Sequence, residues 1–89
     1  MNQKELFEKI ARYREELGNM GYEKIDHPHD QRPRDNIDEF EQCLSMLDVA
    51  ERFLKDGRLY PAQRWLCFVE GVLWQMKLYT LSDLGYDDL

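Results

Sequence analysis

Eighty-nine residues make one domain, and a chain of that length buries only about 60–65% of its unfolded surface, so its stability margin is thin. A net charge of −6 and an isoelectric point near 4.8 exclude the basic field that a general DNA or RNA binder carries. Apolar residues at 43% and charged residues at 34% exclude disorder along the whole chain and match an ordinary globular domain.

The first residues, MNQKELFEK, are polar and helical, unlike a signal peptide. A first helix is expected over about 3–17. Asn2 suits its N-cap, and Glu5 completes a capping-box pattern. Leu6, Ile10, Tyr13, Leu17 and Met20 step by four and three as a buried seam, and Gly18 or Gly21 ends it. The stretch 22–35 has no helical period and contains Pro28 and Pro33. It reads as an exposed loop, longer than most interhelical links, and hence as a mobile or functional segment.

A second helix is expected over about 36–55, opened by Asp35 or Asn36 and stopped by Gly57. Ile37, Phe40, Leu44, Leu47 and Leu54 form its stripe, widened by Cys43, Ala50 and Phe53. Asp38 and Glu39 suit the positive end of the helix dipole, and Lys55 the negative end. The link to the third helix is short, so the two should form an antiparallel hairpin.

The third helix is expected over about 61–79, with Pro61 at a start where its missing amide costs nothing. At about 100° per residue, Ala62, Trp65, Leu66, Val69, Val72, Leu73 and Met76 form one apolar stripe. Cys67, Gly71, Trp74 and Leu78 form a second on roughly the opposite side, with Glu70 placed on the flank between them. A small fold can close its core with one stripe only. The second therefore reads as an interface, most simply of a homodimer, with Cys67 and Gly71 admitting a close helix. Thr80 and Asp83 predict a short capped turn over 81–84, and the acidic tail Gly85 to Leu89 should fray. The fold class is all-α: a compact three-helix domain in which the first helix packs on the hairpin. The longest apolar run, Trp65 to Trp74, is ten residues and contains Glu70, too short to cross a membrane.

Chemistry is sparse. No nucleophile elbow, zinc-protease motif or phosphate loop is present. Cys43 and Cys67 are not in a CxxC pair and read as reduced packing residues of a cytosolic protein. Asp26 to Asp30 (DHPHD) gathers two imidazoles and two carboxylates, but their local spacing does not supply a closed tetrahedral set. The expectation is a solvated loop, with no metal, no cofactor and no enzyme activity. Arg58, Tyr60, Arg64 and Trp65 gather near the start of the third helix. This is a composition that holds a phosphate-bearing nucleotide by ion pairing and stacking. Five acids and no Lys or Arg lie between Asp35 and Asp48. Of these, Asp38, Glu39 and Glu41 are candidates for contact with a basic partner.

The pattern Asp56-Gly57-Arg58, Arg64-Trp65-Leu66, Phe68, Gly71-Val72-Leu73-Trp74 and Tyr79-Thr80 resembles a group of small helical proteins of tailed phages and prophages. Cys67 and Glu70 stand where many of that group have Gly and Gln. The likeness covers roughly the last 35 residues. It implies a phage-type accessory protein in the bacterial cytoplasm, acting without turnover by binding a host or defence protein. A nucleotide-sequestering protein is the alternative expectation, and a small virion or assembly component the third.

Overall fold

The computed structural model describes residues 2–86. Among them are three helices and no strand: α1 (Gln3–Asn19), α2 (Asn36–Lys55) and α3 (Leu59–Gln75). α2 and α3 pack antiparallel along most of their length, and α1 lies against both. The fraying expected of the tail falls partly on 87–89, outside the described residues.

The start of α1 follows from its cap. Asn2 Oδ1 accepts the Glu5 amide at 2.9 Å, satisfying one of the free donors of the first turn. Leu6, Ile10, Tyr13 and Leu17 are buried. Met20 is exposed and is not part of the seam, because the helix has stopped and Met20 is its C-cap. Gly21 (φ 89°) takes the left-handed position that follows.

On α2, Asp35 caps the first turn by accepting the Asp38 amide at 2.9 Å. The buried arc is wider than the expected stripe and takes in Asp38, Ser45 and Met46. Ile37 is exposed instead of buried. The arc is wide because a third neighbour covers it. The 22–35 connection does not swing free: it lies along α2. Tyr22 stacks on Phe40 with ring centroids 4.5 Å apart. The Ile25 amide reaches the Glu41 carbonyl, and the His27 amide donates to Gln42 Oε1 at 2.7 Å.

The α2–α3 link closes on Gly57 (φ 77°), where the Gly57 and Arg58 amides bond back to Leu54 and Phe53. α3 begins at Leu59, two residues before Pro61, so Pro61 is third in the helix. That place also needs no amide, since the first four have no intrahelical acceptor. The helix stops at Gln75, short of the expected 79. Lys77 adopts φ 65°, and the amides of Lys77 and Leu78 return to Trp74 and Leu73. This is the same terminating motif as at Gly57, built without glycine. The chain then folds back: Leu78 and Tyr79 pack on the core, and Leu84 is buried. Thr80 and Asp83 form the expected reciprocal cap, each amide 2.9 Å from the other's side-chain oxygen.

Candidate functional site

The docked connection leaves a groove of about 560 Å³ between itself, α2 and α3. Cys43 and Met46 of α2 and Trp65, Phe68 and Val72 of α3 supply an apolar floor. Pro28 and Pro33 form part of the opposite wall. Polar groups rim it: the imidazoles of His27 and His29 with Arg32 and Arg34 from the connection, and Asp38 and Glu39 from α2. A concave apolar site with a few convergent polar groups is the usual form of a binding pocket.

Two acids of α2 hold the connection in place. Asp38 Oδ2 accepts the Arg34 amide at 3.0 Å and Arg34 Nε at 2.9 Å. Those Arg34 hydrogen bonds hold the Asp38 carboxyl at about 2, well below its ordinary value. His27 Nε2 lies 3.1 Å from Glu41 Oε1 and 3.9 Å from Asp38 Oδ1. Asp38 and Glu41 are therefore engaged within the chain. Of the three acids expected to face a partner, Glu39 is the one that rims the groove without such an anchor. In the loop itself, His29 pairs with Asp26 at 2.9 Å, and Gln42 donates to the same oxygen at 3.0 Å.

The outward face of α3 presents large apolar side chains, with exposed Arg64 and Gln75 beside them. Tyr60 is 76% exposed, Phe68 61% and Trp74 51%, with exposed Gly71 among them. A Cβ built on Gly71 would meet nothing within 4 Å, so the helix surface there is open. Cys67 is half-buried, its Sγ 3.6 Å from the Tyr86 hydroxyl. Leu78 does not belong to this face. It lies beyond the end of α3 and packs on the core. Phe68, a member of neither expected stripe, is one of the most exposed apolar side chains and joins the face to the groove.

The expected anion corner is divided. Arg58 stacks over Phe53, 5.0 Å from the ring centroid. Tyr60 and Arg64 are exposed, while Trp65 turns into the groove. The thiol of Cys43 is pushed up to about 12 by burial, which makes it a poor nucleophile.

Glu70 departs furthest from its expected place. It is fully buried, not a flank residue. Its carboxylate accepts the Tyr13 hydroxyl, Lys9 Nζ at 2.9 Å and the Tyr86 hydroxyl at 2.6 Å. Lys9 also donates to the Leu84 carbonyl at 2.7 Å, tying the C-terminal turn to the same point. Burial, then the hydrogen bond to Glu70, pushes both tyrosine hydroxyls well above their ordinary range. The one hint in the sequence is an acid inside an apolar run. Its donors lie about 60 residues away on α1 and 16 away in the turn. Comparisons of the chain with known families, curated proteins and solved structures return no match.

Proposed function

We propose that this chain works by stoichiometric binding, without turnover, through the outward face of α3 and the groove beside it. The observation that carries this reading is the exposure of Tyr60, Phe68 and Trp74 on a helix whose other side closes the core. Aromatic side chains bury about 150–250 Å² each, so these three offer roughly 350–400 Å². A stable interface takes about 800 Å² from each partner. The face alone is too small, and the adjoining groove is needed to complete it. In this reading the chain is a phage-type accessory protein that blocks a host or defence protein in a bacterial cytoplasm. The resemblance of its C-terminal motif supplies that context.

Self-association uses the same face, with Gly71 and Cys67 letting a second α3 approach and Trp74 filling the contact. Light scattering should give a dimer mass, reduced to a monomer by Trp74→Glu. An unchanged monomer mass up to high concentration removes the dimer. A partner whose saturable binding survives Phe68→Asp removes the face itself.

One observation favours the nucleotide reading in a changed place. Trp65 and Phe68 share the groove with Arg32, Arg34 and two histidines, so planar and basic groups meet there and not at Arg58 and Arg64. A cyclic nucleotide should then give a saturable thermal shift that Arg32→Ala weakens and Arg64→Ala leaves intact.

A further inference from the structure

His27, Asp38 and Glu41 converge although they come from two separate elements. Asp38 and Glu41 are three apart, so they project from one face of α2. The connection delivers His27 onto that face, held by its own amide on Gln42 and by the Ile25 amide on the Glu41 carbonyl. One oxygen from each acid and Nε2 of His27 lie within 4.8 Å of one another.

The spacing suits a small dication. Ligand atoms about 2.1 Å from a tetrahedral zinc ion stand about 3.4 Å apart. The His27 Nε2 distances to Glu41 Oε1 and Asp38 Oδ1, 3.1 and 3.9 Å, bracket that value. The lone pairs are also suitably divided. Arg34 makes its two shorter hydrogen bonds to Oδ2 of Asp38 and only a 3.3 Å contact to Oδ1. Oδ1, the oxygen that faces His27, is left the freer. An arginine that grips the outer oxygen of a carboxylate orients the inner one, as outer-shell partners of metal ligands do. Two carboxylates, Asp38 and Glu41, stand against the Arg34 guanidinium that contacts them at Asp38, leaving net negative charge within the trio for a cation.

We propose that His27, Asp38 and Glu41 form a three-ligand site for a first-row transition dication of the zinc class, open on the side of the groove. Imidazole among the ligands selects against magnesium and calcium, which take oxygen. The fourth position belongs to water or to a donor atom of whatever occupies the groove, since His27 and Asp38 line it. This site does not depend on the binding role of α3. It differs from the DHPHD segment read as a unit, because His29 is paired with Asp26 and lies outside the trio.

The test is calorimetric titration of the untagged full chain with zinc chloride, with cobalt(II) as a spectroscopic probe. One equivalent should bind saturably, and cobalt should give the visible bands of a low-coordinate N/O site. His27→Ala and Glu41→Ala should each weaken binding by about tenfold or more, with helical circular dichroism retained. Asp38→Ala also releases Arg34, so the other two variants carry the test. His29→Ala should bind as the parent does. The proposal is overturned if the parent chain shows neither saturable heat nor cobalt bands. Equal affinity in His27→Ala overturns it too, as does loss of binding in His29→Ala, which would put the ion on the Asp26–His29 pair.

Discussion

Removing the Glu70 carboxylate should cost this protein a large share of its stability. Glu70 is fully buried, and its two oxygens accept one ammonium and two phenols. Glu70→Ala strands all three donors. Deleting one partner of a buried ion pair costs about 3–5 kcal/mol, because the other charge is left uncompensated. Lys9 retains 22% of its side-chain exposure and can turn toward water, which places the expected loss near the low end, about 3 kcal/mol. A domain of this length has roughly 4–13 kcal/mol in total, so the variant should be close to the edge of folding. Glu70→Gln keeps the shape and one acceptor, and should lose about 1–3 kcal/mol by replacing charge-assisted hydrogen bonds with neutral ones. Urea unfolding followed by circular dichroism measures both, and the double variant Lys9→Met/Glu70→Gln measures the coupling. If Glu70→Ala loses under about 1 kcal/mol with an unchanged denaturant slope, Glu70 is not the anchor described.

Two further outcomes concern Lys77 and the tyrosines that bond Glu70. Lys77 holds a left-handed conformation at φ 65°, which costs a non-glycine residue about 1–2 kcal/mol. Lys77→Gly should therefore stabilise by about 0.5–1 kcal/mol after the entropy lost by glycine; a lower urea midpoint would refute the strain. Tyr13 and Tyr86 ionise well above the ordinary value of 10.0 in the fold. Their protonated forms are the ones favoured by folding, so that stabilisation is fully present below about pH 10 and declines as pH rises beyond it. Stability that holds constant from pH 9 to pH 11, or full phenolate absorbance in the folded protein at pH 11, would contradict this.

The places where the sequence misled share a cause. α3 was expected to run to 79 because no glycine or asparagine marks an end at 77. The stop is set by Leu78 and Tyr79 packing back on the core and by Tyr79 bonding Glu16 across the fold. The 22–35 connection looked free because it has no period, yet its anchors include side chains of α2 fifteen to twenty-four residues away. Asp38 and Glu41 looked like part of an outward face because charge alone does not say that Arg34 and His27 lie opposite. The exposure of Trp74 and the open surface at Gly71, by contrast, are where the second stripe of α3 puts them.

Local rules in the sequence determine the three helices, their order, the caps at Asn2, Asp35 and Thr80, the stop at Gly57 and the apolar seam of α1. Each depends on neighbours within a few residues, where backbone hydrogen bonding and helical period leave few alternatives. Only the tertiary structure decided the rest: the burial of Glu70 among Lys9, Tyr13 and Tyr86, the groove floored by Trp65 and Phe68, and the meeting of His27 with Asp38 and Glu41. Those contacts join residues that are distant along the chain. Their free energy comes from taking apolar surface out of water and from pairing the charges and polar groups buried with it, which offsets their desolvation, and no local pattern records which groups will be opposed.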